Sequence, residues 1–595
     1  MNKDFLPINR SDMEKRDWNN LDFLIISGDA YVDHPSFGHA VISRVLENAG
    51  YKVGIIAQPN WKNPDSIKKM GRPELAVLIA PGVIDSMVNN YTASKRHRRE
   101  DRYSPKNEAG IRPDRASVVY TSLAKQAFKG IPIVIGGVEA GLRRFAHYDY
   151  WSDKVRRSVL FDSKADILVY GPGEKAILEI AGRLKSGKSL DGINGSAYKA
   201  HNSPEKAIEI ASFEEVSENN NSFAEAFRVQ YDEQDAYRGR TVSQKHGDRF
   251  LVCMPPAKPL SNEEMDRIYD LPYVREYHPS YEKIGGIKAL DEVKFSITSH
   301  RGCPGSCSFC SIVFSQGRLI QKRSAKSILR EVKMLSEKPD FKGYITDIGG
   351  PTANFRDAYC KVKGKKGMCK DKQCLYPEIC ENLNVDHKEY LDILKKARAV
   401  PGVKKVFVKS GIRYDYLVAD NNPKFLEELC MNHISGQMKV APEHASQKVL
   451  GYMGKEKIGI YNKFRKKYSE LNKKYGKKQY LIPYFISGHP GEDIDDVVEL
   501  VEFLMDSGFV PDQVQDFYPT PGTVSTCMYY AGIDPRTMKK VHVEKSEIER
   551  KRRRTLIQFS KKGNSAEAKR ILRKLGREDL AARIRPERKN KNTSS

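Results

Sequence analysis

The sequence has no apolar run of about 18 residues, the length at which a stretch can cross a bilayer as a helix. Its first residues, MNKDFLPINRSDMEKRDWNN, lack the apolar core of a secretion signal. The mean hydropathy is −0.58, and 30% of the residues are charged. We therefore expect a cytoplasmic protein with ordinary buried cores and no membrane partner.

Cysteine is scarce over most of the chain. Only three of the ten cysteines, Cys253, Cys430 and Cys527, lie outside the segment from Cys303 to Cys380. These three are predicted to be buried apolar residues. In a reducing compartment, the clustering of the other seven indicates metal binding rather than disulfide bonds.

The chain carries a strong positive charge, with a net value of +25. Much of it lies near the end, since residues 541–595 hold 18 Lys and Arg against 7 Asp and Glu. The run from Arg550 to Arg554 is part of this excess. Two interpretations stay open: a solvated basic helix with its tail, or a surface that contacts RNA, the ribosome or another anionic partner.

The first 200 residues alternate between strand-like and helix-like patterns. Short apolar runs that end in Gly or Pro suit a parallel sheet covered on both faces. The predicted strands are 22–26, 51–59, 74–81, 117–122, 132–137 and 165–174. Sites in such sheets lie at the carboxyl ends of strands, here the segments Gly28–His39, Gly136–Glu139 and Gly171–Glu174.

A second series of strands and helices begins near residue 293. Its six predicted strands are 294–299, 344–348, 404–409, 437–441, 480–486 and 512–517. The pattern predicts a partial (β/α)6 barrel. The fold class is therefore α/β, and four parts are predicted: a doubly wound domain (1–200), a connecting region (201–290), the barrel (291–540) and a basic helical extension (541–595).

The stretch RGCPGSCSFC follows the first barrel strand, where barrels keep their chemistry. It places Cys303, Cys307 and Cys310 in a C-x3-C-x2-C pattern, which favours one compact cluster. Three protein ligands leave one coordination position open, as a catalytic metal requires. The alternative is a zinc knuckle whose fourth ligand comes from His300 or a distant cysteine.

This pattern after the first strand of a (β/α)6 barrel resembles the signature of radical SAM enzymes, including the aromatic residue Phe309 before the last cysteine. The resemblance extends over nearly the whole chain to the YgiQ family, and the basic C-terminus matches least well. The stretches that carry it are DAYVDHPSFGHA, GGVEAGLRRFAHYDYW, ITSHRGCPGSCSFC, CLYPEIC and KVAPEHAS.

The resemblance implies a mechanism but names no substrate. A 4Fe–4S cluster on Cys303, Cys307 and Cys310 takes S-adenosylmethionine (SAM) as its exchangeable fourth ligand, through the amino and carboxylate groups. An electron from a flavodoxin- or ferredoxin-like reductant cleaves SAM to methionine and a 5′-deoxyadenosyl radical, which abstracts hydrogen from substrate. The catalytic residues that meet the substrate stay unassigned.

The same resemblance implies four residues that contact SAM. Gly349 and Gly350 stand in a turn like the one that holds the SAM amino group, although its usual Glu is absent. Backbone carbonyls would then accept from the amino group. Arg413 and Glu443 lie at later strand ends, with Glu443 placed near the ribose.

A second cysteine group, Cys360, Cys369, Cys374 and Cys380, lies in a polar segment rich in Lys and Gly. Such a segment needs a stabilising ligand, so we predict a second metal site that holds either an iron–sulfur cluster or structural zinc. The alternative is free or transiently oxidised thiols.

The N-terminal domain resembles the cobalamin-binding domains that precede some radical SAM barrels. The cobalt-ligating pattern D-x-H-x-x-G is not matched by Asp33-His34-Pro35-Ser36-Phe37-Gly38, and His39 follows the Gly. This disfavours cobalamin but leaves it open as a cofactor.

The leading hypothesis is a radical SAM enzyme whose substrate the sequence does not name. One alternative is a methyl or methylthio transferase acting on RNA or protein. The other is a non-catalytic iron–sulfur or zinc protein that binds RNA.

Overall fold

The computed structural model describes residues 4–362, 367–509, 511 and 514–585. The last ten residues, which include the predicted tail RKNKNTSS, and part of the predicted strand 512–517 lie outside the described residues. No helix of the described part is long and apolar enough to span a membrane.

The N-terminal part is built on one nine-stranded sheet in the order β2-β1-β3-β4-β7-β8-β11-β10-β9. From β2 to β7 the neighbours are parallel, whereas β8, β11 and β10 pair in antiparallel fashion. A small hairpin, β5 with β6, lies outside the sheet. The strands are β1 (Phe23–Ser27), β2 (Val53–Ala57), β3 (Ala76–Ala80), β4 (Ile133–Ile135), β5 (His147–Asp149), β6 (Lys154–Arg156), β7 (Ile167–Val169), β8 (Ser196–Ala200), β9 (Ile208–Ile210), β10 (Val242–His246) and β11 (Arg249–Cys253).

Helices cover both faces of this sheet. On β1, Leu24 and Ile26 belong to one apolar core, whereas Phe23 and Ile25 belong to the other. A strand buried on both sides is mostly apolar, and all five residues of β1 are buried, four of them apolar. The helices are α1 (Arg10–Glu14), α2 (Gly38–Asn48), α3 (Ser86–Asn90), α4 (Ala116–Ala127), α5 (Gly137–Leu142), α6 (Val159–Ser163), α7 (Glu174–Lys185), α8 (Phe213–Glu218), α9 (Asn220–Asp232), α10 (Asn262–Tyr269) and α11 (Ala289–Val293).

Two sequence predictions for this part differ from the structure. Residues 117–122 were expected to be a strand but lie in α4, whose buried Tyr120, Leu123 and Ala124 recur at helical spacing. The segment 201–290 was expected to connect two domains. Instead it contributes β9, β10 and β11 to the same sheet.

The second part is the expected partial barrel, and all six predicted positions contain a short strand. β12 pairs with β16, β15 with β17, β18 with β19, and β19 with β20, always in parallel. The predicted second strand is interrupted at Thr346 and forms both β15 and β16. The strands are β12 (Ser296–Thr298), β13 (His300–Arg301), β14 (Gln321–Lys322), β15 (Tyr344–Ile345), β16 (Asp347–Gly349), β17 (Lys405–Val406), β18 (Gln437–Glu443), β19 (Tyr480–Ser487) and β20 (Gln515–Asp516).

Helices separate the barrel strands, as the right-handed crossover pattern requires. Helix α13 packs on α14, and both contribute to the apolar core of the first half of the barrel. The helices are α12 (Ile312–Gln316), α13 (Ala325–Ser336), α14 (Lys388–Arg398), α15 (Tyr414–Val418), α16 (Lys424–Glu428), α17 (Gln447–Met453), α18 (Ile458–Lys474) and α19 (Ile494–Ser507).

The basic C-terminal part is docked on the barrel. Leu556, Ile557 and Ile571 share an apolar core with Val497 and Leu504 of α19. This part contains α20 (Val524–Ala531), a hairpin of β21 (Ile533–Asp534) and β22 (Lys539–Lys540), α21 (Glu547–Ile557), α22 (Ser565–Lys574) and α23 (Glu578–Arg583).

Three arginines of the basic run are used inside the molecule. Arg553 is buried and donates to the Glu492 carboxylate at 3.1 Å. Arg554 pairs with Asp516 at 2.6 Å, and Arg550 donates to the Tyr150 hydroxyl at 3.1 Å. These side chains therefore anchor α21 rather than form the solvated or RNA-facing run that the sequence suggests.

Replacing Arg553 with methionine should lower the free energy of unfolding by about 2–3 kcal/mol, because a charged hydrogen bond is lost. The Glu492 carboxylate keeps the Gly488 N–H at 3.0 Å, which limits the loss. The measurement is the denaturation midpoint of the full chain. The control Lys551→Met changes an exposed neighbour on α21 and should shift stability by less than about 0.5 kcal/mol. Equal effects of the two variants would contradict the anchoring role of Arg553.

Candidate active site

The loop that carries Cys303, Cys307 and Cys310 is fixed by backbone hydrogen bonds from three directions. Cys303 N–H donates to the Gly317 carbonyl at 3.0 Å, which closes the loop on itself. Ser308 N–H donates to the Met453 carbonyl, and Ser308 C=O accepts from Ser525 N–H, both at 2.9 Å. The loop therefore lies between α17 and the start of α20 and is hydrogen-bonded to both.

An arginine from beyond the barrel holds the same loop. Arg536 donates to the Ser308 hydroxyl and to the Tyr452 carbonyl, each at 3.1 Å. Asp534 neutralises its guanidinium at 2.8 Å. Arg536 is not predictable from the sequence, because no local pattern links it to a loop more than 200 residues earlier.

All three thiols of the loop are partly exposed. Burial and the nearby Cys307 raise the pKa of the Cys303 thiol to about 11. Burial also raises the pKa of Cys310, with further contributions from Cys307 and Cys303. Metal ligation requires thiolates, so binding at this loop has to release protons.

Arg413 connects the third strand region of the barrel to this loop. Its guanidinium lies 3.4 Å from the Cys307 sulfur. Asp415 accepts two hydrogen bonds from it at 2.9 Å, and Glu456 accepts one at 3.0 Å. The charges of all three side chains are buried, so Arg413 is held rigidly beside the cysteines.

Lys455 completes this buried network. Its ammonium donates to the Ala441 carbonyl at 2.7 Å. Burial acts to raise the pKa of Glu456, but Lys455 and Arg413 prevail and lower it to about 2. Glu456 therefore stays ionised, and the sequence analysis did not identify it.

Glu443 ends β18 next to this network. Its φ of 69° lies in the left-handed region, which costs a non-glycine residue about 1–3 kcal/mol. The side chain is buried, and burial raises its pKa. Among the described residues its carboxylate has no hydrogen bond or ion pair, so it is available to a ligand.

The turn with Gly349 and Gly350 packs closely against its surroundings. A Cβ on Gly349 would lie 2.3 Å from the Ser410 hydroxyl oxygen, and one on Gly350 would lie 2.6 Å from the His300 ring. The Gly349 carbonyl already accepts from the Ser299 N–H at 2.7 Å and from its hydroxyl at 3.1 Å.

These contacts test whether a 4Fe–4S cluster and SAM suit the site. Three thiols lie on one loop, and a guanidinium faces one of them at Cys307, which suits an anionic cluster. The Gly350 turn and the Glu443 carboxylate lie at the same end of the barrel and offer acceptors to an amine or a ribose. The residues therefore fit both groups. In the part of the chain that the structure describes, no three His, Cys, Asp or Glu side chains are arranged to hold a single metal ion.

A large cavity lies between the carboxyl ends of the N-terminal strands and the barrel. Its volume is about 580 Å³. The three predicted strand-end segments of the N-terminal sheet all contribute to its wall. The principal polar and glycine residues around it are Asp29, His39, Gly82, Gly136, Gly137, Gly171, Glu174, Thr298, His300, Arg301, Asp347, Gly349, Gly350 and Ser410. We call it the interdomain cavity.

Two histidines of the segment Gly28–His39 make hydrogen bonds within the protein. The two ring nitrogens of His39 contact the Ser27 hydroxyl and the Val32 carbonyl, both at 3.2 Å. His34 accepts from Ser36 N–H at 3.1 Å and contacts Arg275 at 3.3 Å. Neither imidazole is therefore free to ligate cobalt in this arrangement.

The second cysteine group is also brought together. Cys360, Cys369, Cys374 and Cys380 all line another cavity, at the barrel end that carries the first cysteine loop.

Family models match most of the chain. The model described as Radical SAM N-terminal matches residues 5–296, and the Radical SAM superfamily model matches residues 297–504. A domain of unknown function matches residues 512–586.

Curated relatives are similar over almost the full length. A UPF0313 protein of Clostridium botulinum (strain Kyoto / Type A2) is 57% identical over 584 residues, which cover 97% of this chain and 90% of the relative. A UPF0313 protein of Clostridium perfringens (strain ATCC 13124) is 53% identical over 582 residues, covering 97% of this chain and 88% of the relative.

Solved structures show more distant similarity. The radical SAM methyltransferase TsrM from Kitasatospora setae, with cobalamin and a [4Fe-4S] cluster bound, is 14% identical with a TM-score of 0.49 and covers 85% of this chain and 75% of its own. The cobalamin-dependent radical SAM enzyme OxsB with aqua-cobalamin bound is 13% identical with a TM-score of 0.47 and covers 87% of this chain and 56% of its own.

Proposed function

From the premise that this chain belongs to the UPF0313 family and is a radical SAM enzyme with a 4Fe–4S cluster, we propose that it cleaves SAM and uses the resulting radical on a substrate held in the interdomain cavity. The Radical SAM superfamily match supports an enzyme over the non-catalytic alternative. The reaction and the substrate are the parts that the proposal adds.

One observation carries the proposal. The cysteine loop, Arg413 and Glu443 come from separate parts of the barrel sequence, and they meet at one end of it. The Arg413 guanidinium lies 3.4 Å from the Cys307 sulfur. When bound, the cluster supplies one electron to the SAM sulfonium, whose S–C5′ bond breaks to give methionine and a 5′-deoxyadenosyl radical.

The chain's own residues position these groups. Cys303, Cys307 and Cys310 would hold the cluster and leave one iron open. Arg413 faces a sulfur ligand, where its positive charge favours the reduced and more negative cluster. Arg536 and the backbone contacts of Ser308 keep the loop fixed, so little reorganisation accompanies electron transfer.

SAM would be held by neighbouring strand ends. The Gly350 carbonyl is the candidate acceptor for its amino group, since Ser299 already occupies the Gly349 carbonyl. The Glu443 carboxylate is the candidate acceptor for ribose hydroxyls. Its strained backbone, with φ of 69°, is the kind of outlier found at ligand-binding sites.

The substrate would bind in the interdomain cavity. Its volume of about 580 Å³ falls within the usual range for small-molecule sites. Gly349 and Gly350 line it as well, so the cavity reaches the predicted SAM position. Excluding water there would protect a radical from side reactions.

The direct test is SAM cleavage by the full chain. After anaerobic cluster reconstitution, dithionite and SAM should yield 5′-deoxyadenosine and methionine in equal amounts, measured by mass spectrometry. Protein that carries a full cluster and binds SAM but releases no 5′-deoxyadenosine would contradict the proposal.

Filling the cavity should separate hydrogen abstraction from SAM cleavage. Gly38 begins α2 on the cavity wall, and a Cβ there would meet nothing within 4 Å. With extract from cells grown in deuterated water, wild-type protein should form deuterated 5′-deoxyadenosine. Gly38→Trp should reduce the deuterated product by about 100-fold through misplaced substrate, while unlabelled 5′-deoxyadenosine persists.

The matched control is Gly182→Trp on α7. A Cβ at Gly182 also meets nothing within 4 Å, and this residue lies away from the cavity. Gly182→Trp should leave the deuterated fraction unchanged. Equal deuteration in wild type and Gly38→Trp would place the substrate elsewhere.

The proposal includes a flavodoxin- or ferredoxin-like donor, since each cleavage consumes one electron. It does not include RNA bound through the run Arg550–Arg554, because three of those arginines anchor α21. Methyl or methylthio transfer remains the alternative outcome, and methylated or thiolated product in a digest of the treated extract would favour it.

A further inference from the structure

Four cysteines that SAM cleavage does not use line a cavity of about 380 Å³. They are Cys360, Cys369, Cys374 and Cys380, and none of the chain's ten cysteines, all described, is in a disulfide. We propose that their thiolates hold a second iron–sulfur cluster, ligated entirely by the protein.

The backbone fixes three of these cysteines on one side of the cavity. Cys380 N–H donates to the Cys374 carbonyl at 2.9 Å. Cys360 forms an antiparallel bridge with Leu383, and Lys361 N–H donates to the Asn382 carbonyl at 2.9 Å. The two ends of the cysteine segment are therefore tied together.

The fourth cysteine is held by the N-terminal part. Met368 N–H, directly before Cys369, donates to the Asp235 carboxylate. Lys370, directly after it, pairs with Glu233 at 2.8 Å. The residues before and after Cys369 are therefore held in place by the N-terminal part. Cys369 itself is exposed and lines the cavity.

Charged side chains line the cavity. Among the described residues they are Arg238, Lys370 and Lys372, with Asp371 as the single acid. Two of these cations are paired, Arg238 with Asp235 at 3.7 Å and Lys370 with Glu233. Lys372 is therefore the cation that can offset the negative charge of a cluster with four thiolate ligands.

The four cysteines line one cavity beside the first cysteine loop. This position favours an iron–sulfur cluster over structural zinc, because a cluster can exchange electrons with the first one and zinc cannot. Both cysteine groups also border one small apolar core, against which Cys303, Cys374 and Cys380 pack. Gln373 donates to the Ser306 carbonyl of the first loop at 3.3 Å.

Complete ligation by the protein leaves no iron open to SAM. The second cluster is therefore expected to be a structural or electron-carrying centre next to the first. Its spectroscopic signal should therefore not respond to SAM, unlike the signal of the SAM-binding cluster.

The test uses the full chain with Cys303, Cys307 and Cys310 changed to alanine. After anaerobic reconstitution, the wild type should hold about eight irons, and this variant should retain about four with equivalent sulfide. Its reduced electron paramagnetic resonance signal should not change when SAM is added. The complementary variant, with Cys360, Cys369, Cys374 and Cys380 changed to alanine, should lose the SAM-insensitive signal.

Zinc at one atom per chain, or no metal, in the first variant would overturn the assignment. Equal iron in the wild type and the complementary variant would also overturn it. If the complementary variant does not fold, the first variant alone decides. A retained second cluster in protein that never cleaves SAM would count against the proposed function only.

Discussion

Cys307→Ala is expected to lower 5′-deoxyadenosine formation by at least about 100-fold, more than the loss of a neighbour that only orients a metal ligand. Cys307 is the middle cysteine of the loop, and its sulfur is the one that Arg413 contacts at 3.4 Å. Without this ligand, two thiols remain for a cluster that needs three. The measurements are iron content and SAM cleavage by the same preparation.

The matched control is Cys430→Ala. Cys430 is buried in the apolar core of the barrel, away from both cysteine groups. Its removal should cost some stability through a small cavity but leave the iron content and the cleavage rate unchanged. Wild-type cleavage by Cys307→Ala would show that the loop does not hold the working cluster.

Arg413→Met should be the most destabilising single change near the site. It leaves the Asp415 and Glu456 carboxylates buried without their shared partner. Removing one member of a buried ion pair costs about 3–5 kcal/mol, because the remaining charge is uncompensated. We expect a loss of this size in the free energy of unfolding, measured by chemical denaturation of the full chain.

Two further variants separate charge from shape. Adding Glu456→Gln to Arg413→Met should recover part of the loss, since it removes one of the unpaired charges. Arg330→Met removes an exposed arginine paired with Asp270 and should cost less than about 1 kcal/mol. If Arg413→Met cost no more than Arg330→Met, the buried network would not be a structural element of the site.

Arg413→Met should also change the reduction potential of the cluster. Loss of a positive charge beside a sulfur ligand should make the reduction potential more negative, because the reduced cluster loses a favourable interaction. Potentiometric titration of folded Arg413→Met measures this directly. An unchanged potential would mean that the guanidinium acts only on the fold.

Local sequence patterns predicted the strands correctly where burial determines which residues are apolar. Strands buried on both faces, such as β1, are mostly apolar, and short runs with apolar residues also marked the six barrel positions. The pattern was misleading at residues 117–122, where a short apolar run fits a strand or a helix until Leu123 and Ala124 are included. The strands β9 to β11 were missed although β10 and β11 form a hairpin, because each has only three to five residues and polar residues interrupt their apolar pattern.

The sequence predicted the candidate site only where the spacing of residues within one loop indicates a metal site. Cys303, Cys307 and Cys310 follow from their spacing in one loop. Arg536 and Glu456 do not, because each meets the site through tertiary contacts. The basic run was predicted to be solvated or to bind RNA for a related reason, since sequence shows the charge of Arg553 but not the buried Glu492 that faces it.

The central claim is that SAM binds the open iron of the cluster held by Cys303, Cys307 and Cys310. Electron–nuclear double resonance of the reduced full chain, with SAM labelled at its amino nitrogen and carboxylate oxygens, tests it most directly. We predict hyperfine couplings from both labels in the wild type and their absence when the three cysteines are replaced by alanine. Tight SAM binding to the cluster-loaded wild type without either coupling would contradict the claim.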